Sequence, residues 1–386
     1  MPHPTIDVLI PVFNGAATVE SAIQSMQMQT HTDLCIHVVD DGSTDATPEI
    51  LARLAAADSR IRIHRKDNGG IVDALNFGLT FCESAYVARH DADDLAYAHR
   101  LQVQLDYLEA HPETVAVSSA VRHIDGGGVP TGSFGRLYSP DTADLAWVPS
   151  REPYLIHPFL LVRRDALASV HGYRHVHHAE DTDLYWRLRD VGRLHNLDDV
   201  LGDYRLHDGS ISGSSLHNGR MMSISSQLAG LSALRRQAGR TDFVFDKARV
   251  ARLRQSKSLQ EMVDAASSDF DADEREAFEL FVSAKMLELS AYRPWELEKA
   301  DCVFIRRALD RGLGRVKNPV NRKMLEANLS GTSARLAAAG HRAEAIALCP
   351  VRLYPWFAWR YALRVFLPAE LRQRLKLKLR NGAPGK

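Results

Sequence analysis

The sequence AYVARHDADDL, residues 85–95, places three aspartates within four positions, directly after a short apolar run. An apolar run of this kind is typical of a buried strand. Carboxylates crowded at the end of a strand repel one another unless a cation or a ligand rich in hydrogen-bond donors lies between them. Hard oxygen ligands at this spacing favour Mg²⁺ or Mn²⁺. One aspartate at such a turn is also typical of a helix cap, and Asp94 keeps that alternative interpretation.

The stretch lies within an alternation of strand and helix patterns that covers the first third of the chain. This alternation, with short connections, predicts an α/β fold: a mainly parallel central sheet covered by helices on both faces. Because ligands of such sheets bind beyond the carboxyl ends of the strands, the polar residues that follow strands are expected to share one edge. The predicted strands are 6–10, 34–39, 61–63, 86–88 and 115–121, the helices 17–28, 47–57, 71–81 and 99–110, and the residues expected at the edge Asp40, Asp41, Asn68, Asp91, Asp93 and Asp94.

The pattern changes twice further along the chain. Residues 125–152 are rich in glycine and proline and predict a long irregular connection. Regular structure is expected again from residues 156–162, and residues 200–206 predict a strand. Between them a loop rich in histidine ends at Glu180-Asp181, where a helix is expected to begin. Beyond residue 215 only helical spacing remains, over residues 222–237, 250–266, 274–289 and 296–311, with a small helix-turn-helix at 336–348.

Composition narrows the class of protein. An apolar content of 45% and a charged content of 25% are typical of a soluble globular protein, and the formal net charge of zero does not favour nucleic acid as a partner. The four cysteines are far apart and form no Cys-x-x-Cys pair, which indicates a reducing compartment. The first residues lead straight into a strand, so no signal peptide is expected, and the predicted location is the cytoplasm.

Several motif classes are absent. The sequence holds no lysine-bearing phosphate loop and no Gly-x-Gly-x-x-Gly after the first strand, which argues against P-loop NTPases and dinucleotide-dependent oxidoreductases. Asp41-Gly42-Ser43-Thr44 has the wrong nucleophile spacing for a phosphatase of the haloacid-dehalogenase type. The aspartates at 91–94 lack the glycine and distal glutamate of an EF-hand.

Four motifs, in order, carry a resemblance to a known family. They are IPVFN at 10–14, VDDGSTD at 39–45, DADD at 91–94 and ED at 180–181, supported by Gln29-Thr30 and by YRLH at 204–207. In this order they resemble the inverting family 2 glycosyltransferases, of the type that builds bacterial cell-surface glycans. The resemblance covers residues 5–215 and implies a GT-A fold, a Rossmann-like αβα sandwich. It also implies a nucleotide-diphosphate sugar as donor and Mg²⁺ or Mn²⁺ at an Asp-x-Asp element.

The resemblance also implies roles for the donor-binding residues. Asp93 would be the metal ligand, and His207 a further metal or diphosphate contact, although a single histidine after a strand is more often a surface residue. Asp91 would face the ribose hydroxyls, and Asp41 would accept a hydrogen bond from the base. The base pocket would be shaped by Pro11 and Phe13, with Asn14 beside them.

Inversion at the anomeric carbon needs one general base for the acceptor hydroxyl. Asp181 matches the base position of the family, and Glu180 would orient the acceptor. The alternative is that these acidic residues only favour the positive N-terminus of their helix. His157 is expected either to shape the acceptor side or to be a buried structural histidine.

The C-terminal tail, residues 351–386, combines aromatic residues with nine basic residues and one acidic residue. A basic helix is expected at 370–380. This composition predicts either a contact with an anionic membrane surface, which would fit a lipid-linked glycan acceptor, or aromatic packing beside a solvated basic face. The predicted domains are a catalytic domain at 1–214, a helical domain at 215–350 and this tail.

The sequence therefore predicts an inverting transfer of a sugar, with a UDP-sugar as the assumed donor, to a hydroxyl of a saccharide or lipid-linked glycan. Two other functions compete. A nucleotidyltransferase that makes a sugar nucleotide would need a glycine-rich basic loop after the first strand, and Pro11 to Gly15 do not form one. A non-catalytic module that binds a glycan or nucleotide would not need both Asp93 and Asp181.

Overall fold

The computed structural model describes residues 5–135, 138–206, 215–293 and 295–366. The described residues include one sheet of nine strands, six of which run in the same direction. The predicted α/β fold with a mainly parallel sheet is therefore confirmed. The strands are β1 (Ile6–Val12), β2 (Leu34–Asp40), β3 (Ile61–Arg65), β4 (Tyr86–Arg89), β5 (Leu95–Ala96), β6 (Thr114–Ile124), β7 (Pro130–Gly135), β8 (Leu161–Arg163) and β9 (Arg193–Arg205).

The order of strands across the sheet is β3-β2-β1-β4-β8-β6-β9-β5. β7 lies outside this order and pairs with the C-terminal end of β6. β3, β2, β1 and β4 form a parallel block, whereas β8 lies antiparallel between β4 and β6. Since β8 runs the other way, the residues that precede it lie at the edge where the parallel strands end. The helices of this part are α1 (Val19–Gln27), α2 (Thr47–Ala57), α3 (Ile71–Leu79), α4 (Arg100–Ala110), α5 (Arg164–Ser169) and α6 (Glu180–Leu188).

Two apolar layers hold the sheet. One side packs Ile10, Val38 and Leu101 into a cluster with α1, α2 and α4. The other side packs Leu9, Val39 and neighbouring residues with α3, α5 and α6. Because successive residues of a strand point to opposite faces, β1 contributes Ile10 to one layer and Leu9 to the other. Its near-continuous apolar sequence follows from burial on both faces.

Several boundaries differ from the sequence prediction. β1 does not stop before Pro11 but continues to Val12, since by that point β1 has passed the last residue that pairs with β4 and only its β2 side is paired. The region expected to be irregular contains β7, an exposed strand at the edge of the sheet. The two-residue strand β5 carried no pattern long enough to detect, and β9 is much longer than the predicted 200–206.

The described chain divides into two compact units. One holds residues 1–144, 151–210 and 232–246 and contains the sheet; the other holds 145–150, 211–231 and 247–386 and is helical. The predicted helix over 250–266 is two helices, with Ser258 capping the second by accepting the Glu261 N–H. The remaining helices are α7 (Leu216–Gln237), α8 (Lys247–Gln255), α9 (Leu259–Ala266), α10 (Ala272–Ser290), α11 (Lys299–Gly312), α12 (Pro319–Ala338), α13 (Arg342–Leu348) and α14 (Tyr354–Phe366).

The last described helix, α14, carries much of the aromatic sequence of the tail. Trp356 and Trp359 are each about three-fifths exposed, and Phe366 is 79% exposed. The basic helix expected at 370–380 lies outside the described residues. Among the helices that the structure describes, none combines the length and the hydropathy that crossing a bilayer requires.

Candidate active site

Asp41, the first residue after β2, is buried and holds together two loops at the edge of the sheet. Its Oδ1 accepts the Gly69 N–H at 3.0 Å and the Lys66 ammonium at 2.6 Å, and its Oδ2 accepts the Gly70 N–H at 2.8 Å. A carboxylate offers about four acceptor directions, so about one remains for a ligand. Sequence reasoning found Asp41 but not Lys66, whose sequence context gives no sign of this ion pair.

The residues predicted for the base pocket occupy the end of β1 and the turn after it. Asn14 has a left-handed backbone, with φ of 50°, which asparagine tolerates better than most residues. Its N–H donates to Ser43 Oγ at 2.9 Å and its Oδ1 accepts the Thr44 N–H at 2.8 Å. Pro11 is buried within β1, whereas Phe13 is 51% exposed. The side chain of Asn14 therefore fixes the loop after β2.

An open cleft of about 610 Å³ lies at these loops. Its size is in the range of small-molecule sites in proteins. Asp41 borders it through its neighbour Gly42 and through its partner Lys66. The lining residues are Gly42, Ser43, Thr44, Arg65, Lys66, Asp67 and Asn68.

The three aspartates after β4 lie together, with one carboxylate oxygen of each within 4.8 Å of the others. Asp94 is buried, and its Oδ1 accepts the backbone N–H of Arg205 at 2.8 Å. Burial, and then the charges of Asp91 and Asp93, raise the pKa of Asp94 well above its usual range. The alternative interpretation of Asp94 as a helix cap is wrong, because α4 begins only at Arg100 and no side chain caps it.

Arg89, the last residue of β4, was not selected from the sequence. Its side chain is only 5% exposed, and its Nη2 donates to Asp91 Oδ1. The guanidinium therefore occupies one oxygen of Asp91, and its charge offsets part of the negative charge of the aspartate cluster.

The end of β9 reaches the same cluster. Arg205 donates from Nε to the Asp93 carbonyl at 2.8 Å and from Nη1 to the carbonyls of Asp125 and Gly126. The loop that carries the aspartates is thus tied to the strand that leads toward His207. His207 itself lies outside the described residues.

Glu180 and Asp181 form the first turn of α6. The Thr182 N–H donates to Asp181 Oδ1 at 2.6 Å, and burial raises the pKa of Asp181 to about 6. Burial, and then the charge of Asp181, raise the pKa of Glu180 to about 8. The charge of Arg89 lowers the pKa of Glu180, and the charge of Asp91 raises it, so both residues lie near Glu180. The two acidic motifs, distant in sequence, therefore meet at one edge of the sheet.

A buried ion-pair network supports this turn. Asp183, which is fully buried, accepts from Arg174 Nε and from Arg187 Nε, each at 2.9 Å. Arg174 belongs to the histidine-rich loop, so the network fastens that loop to α6. The sequence did not indicate these ion pairs, because neither arginine is recognisable as a partner of Asp183 without the fold.

His157 precedes β8 and lies beside the same edge. Its Nε2 is 2.8 Å from the Tyr173 hydroxyl, and burial lowers the pKa of His157 well below its usual range. The ring is therefore neutral at physiological pH. Pro158, the next residue along the chain, is buried. The histidine loop adds a contact of 3.3 Å between His175 Nε2 and Asp73 Oδ1.

The aspartate cluster fits a divalent cation. Its donors are carboxylate oxygens, which Mg²⁺ and Mn²⁺ prefer. Asp94 Oδ2 is buried and has no hydrogen-bond partner among the described residues. Three converging carboxylates with one unpartnered oxygen are the arrangement that a hard cation stabilises.

Comparisons with known proteins agree with these motifs. Residues 7–170 match the family model described as glycosyl transferase family 2. The chain is 30% identical over 213 residues to the putative glycosyltransferase EpsE of Bacillus subtilis, a match that covers 54% of this chain and 74% of that protein. It is also 30% identical over 217 residues to the amylovoran biosynthesis glycosyltransferase AmsE of Erwinia amylovora, covering 55% of this chain and 78% of that protein.

The chain belongs to glycosyl transferase family 2. As a glycosyltransferase of this family it is similar to proteins of bacterial polysaccharide synthesis, which confirms the predicted family and enzyme class. Among solved structures, the glycosyltransferase is similar to S. aureus TarS 1–349 in complex with UDP-GlcNAc. The TM-score is 0.48 at 16% identity, over 83% of this chain and 90% of that chain.

Proposed function

We propose that this glycosyltransferase moves a sugar, with inversion, from a nucleotide-diphosphate donor to a hydroxyl of a saccharide or lipid-linked glycan. The observation that supports it most is the meeting of Asp91, Asp93 and Asp94 with Glu180 and Asp181 at one sheet edge. A donor diphosphate needs positive charge at one end of the transferred sugar, and the acceptor needs a base at the other. We assign the reaction to residues 1–214.

The donor side of the proposal uses the loops of the parallel block. The base enters the cleft beside Asp41, which keeps one acceptor direction for a base N–H, with Pro11, Phe13 and Asn14 forming the adjoining wall. Asp91 accepts hydrogen bonds from the ribose. UDP is the assumed nucleotide, and the UDP, UDP-GlcNAc and GDP-mannose complexes known for TarS and for a mannosyltransferase of Pyrobaculum calidifontis make these the first donors to test.

Asp93 would hold Mg²⁺ or Mn²⁺, and His207, which lies outside the described residues, would be a second ligand. Such an ion would supply positive charge to the leaving diphosphate. Asp94 is held by the Arg205 N–H and supports the loop.

The base of the proposed reaction is Asp181. The acceptor oxygen forms a bond to the anomeric carbon while the bond from that carbon to the diphosphate oxygen breaks, and Asp181 takes the acceptor proton. A pKa of about 6 suits this task, because the carboxylate is ionised at neutral pH yet more basic than an ordinary aspartate. Glu180, with a pKa of about 8, is protonated there and can donate a hydrogen bond to the acceptor. His157 borders the acceptor side.

A thermal-shift screen tests the donor class. The full chain is heated with UDP-, GDP- and dTDP-sugars, each with and without Mn²⁺. We expect one nucleotide family to raise the melting temperature, and Mn²⁺ to enlarge the rise, because ligands that bind only the folded state stabilise it. A chain that no nucleotide sugar stabilises under either condition would contradict the proposal.

The tail adds a location to the proposal: the inner, cytoplasmic face of a membrane that carries the acceptor. Trp356, Trp359, Leu363 and Phe366 share one side of α14, and the three residues among them that are most exposed are aromatic. Aromatic rings beside basic residues favour an anionic bilayer surface.

Vesicle flotation tests this location. The full chain is expected to float with vesicles that contain anionic phosphatidylglycerol and not with neutral phosphatidylcholine vesicles. Replacing Trp356 and Trp359 with serine should abolish flotation, whereas Tyr292→Ser, at another exposed aromatic residue, should not. Failure of the full chain to float would refute the membrane contact and leave the transfer reaction untouched.

A further inference from the structure

The side chain of Arg89, beside the aspartate cluster, has buried N–H groups without hydrogen-bond partners among the described residues. Its guanidinium is nearly fully buried, yet within the described part of the chain only Nη2 has a hydrogen-bond partner, the Asp91 carboxylate. Nε and Nη1 are buried and lack hydrogen-bond partners among the described residues. Burial of a charged donor without a partner is destabilising, and such atoms in a native fold usually meet a ligand or an ordered water in the working state.

A second unpartnered group lies nearby. The hydroxyl of Tyr185, on α6, is fully buried and also lacks a partner among the described residues. The charge of Arg89 acts on Tyr185, on Glu180 and on Tyr173. The backbone N–H of Arg89 donates to the Leu160 carbonyl at 2.8 Å, directly after the turn that holds His157. Arg89 therefore links the aspartate cluster to the general-base side.

The transferred sugar has to occupy that region in the proposed reaction, because in-line displacement places it between the leaving diphosphate and the base. Neighbouring ring hydroxyls accept hydrogen bonds from a guanidinium and donate them to carboxylates. We propose that Arg89 binds the ring hydroxyls of the donor sugar through Nε–H and Nη1–H, together with the Tyr185 hydroxyl, and so selects the sugar. This inference rests on the proposed function.

Both nitrogen atoms are covered in the described conformation. Neighbouring side chains must therefore move when the sugar enters. The nucleoside diphosphate alone does not need Arg89, and the sugar does.

The test compares two ligands on one variant. Arg89→Gln keeps an amide N–H for Asp91 but loses the guanidinium. The ligands are the nucleotide sugar that most stabilises the wild type in the thermal-shift screen and the corresponding nucleoside diphosphate, titrated by calorimetry with Mn²⁺. We expect the affinity for the nucleotide sugar to fall roughly tenfold to hundredfold, and that for the diphosphate to stay unchanged. The matched control is Arg163→Gln, since Arg163 pairs with the first residue of β4 and its side chain donates to Thr114, Tyr86 and Leu108.

Each other outcome decides against the inference. Equal loss for both ligands would show that Arg89 acts only through Asp91, and no loss for either would show that ordered water satisfies its N–H groups. If the variant does not fold, wild-type affinities for donor analogues that each lack one ring hydroxyl give the answer. At least one analogue should bind about tenfold more weakly, and equal affinity across the series would overturn the inference. A wild type that binds no nucleotide sugar would instead refute the proposed function.

Discussion

The two halves of the site differ in how their polar groups are satisfied. On the proposed nucleotide side, the side chains of Asp41 and Asn14 accept hydrogen bonds from neighbouring loops. On the transfer side, Asp94, Arg89 and Tyr185 retain buried atoms without partners among the described residues, and carboxyl pKa values are raised. In the proposed assignment, the nucleotide side is built before its ligand arrives, whereas the buried polar groups of the transfer side find partners only when its ligands bind. Perturbed and unmatched groups of this kind are characteristic of the place where chemistry occurs.

The largest expected effect comes from Asp181→Asn, which removes the proposed base and keeps the shape. We expect kcat to fall by a factor of about 10²–10⁴, because a positioned base contributes that much, with nucleotide affinity and melting temperature unchanged. Steady-state kinetics and calorimetry measure both. Turnover near that of the wild type would show that Asp181 is not the base, and the transfer side would lose its proposed chemical role.

Asp93→Asn comes next. Loss of this carboxylate should weaken metal-dependent nucleotide binding by roughly tenfold to hundredfold, as removal of an ionised partner does. Nucleotide titrations with Mn²⁺ and with a chelator separate metal-dependent binding from metal-independent binding. The matched control is Asp67→Asn, which lies at the cleft of the nucleotide side; it should leave the Mn²⁺ dependence intact. An unchanged difference between the two conditions in Asp93→Asn would contradict its role as ligand.

The raised pKa values of the transfer side should appear in the dependence of kcat/KM on pH, where each titration changes kcat/KM by at most about tenfold per pH unit. Asp181 must be ionised to accept a proton, so kcat/KM should fall as the pH drops below about 6. Protonation of Glu180 should give a second change near pH 8 that Glu180→Gln removes. An acid limb near pH 4, the ordinary range of aspartate, would mean that burial does not perturb Asp181.

The smallest effect tests the nucleotide side. Asp41→Asn replaces the acceptor of Lys66, Gly69 and Gly70, so we expect the free energy of unfolding to fall by about 1–3 kcal/mol, even without nucleotide. Urea denaturation measures it, with the exposed Glu109→Gln as control. If Asp41→Asn loses nucleotide affinity but no stability, this side is not built in advance and the contrast between the halves fails.

The sequence predicted the fold well where one pattern determines one element. The helix at 47–57 was placed correctly, because apolar periodicity and flanking turns both mark it. β5 and β7 were missed, since a two-residue strand and an exposed edge strand leave no periodic signal. Motif order alone selected Asp93 and Asp181. The residues that set their environment, such as Arg89 and Arg174, were out of reach, because ion pairs between distant segments exist only once the sheet has assembled.

The reversed direction of β8 has a consequence for how this enzyme can diversify. The residues proposed to bind the donor lie in loops that follow parallel strands, so each such loop is held between a strand and the next element of the chain. His157 and its neighbours instead precede a strand, at the end of the long connection that starts after β6. That connection can lengthen, shorten or be exchanged while β1 to β4 keep their register. Attempts to change the acceptor should therefore begin by exchanging the segment that precedes Leu161, while the loops that follow the parallel strands are kept unchanged.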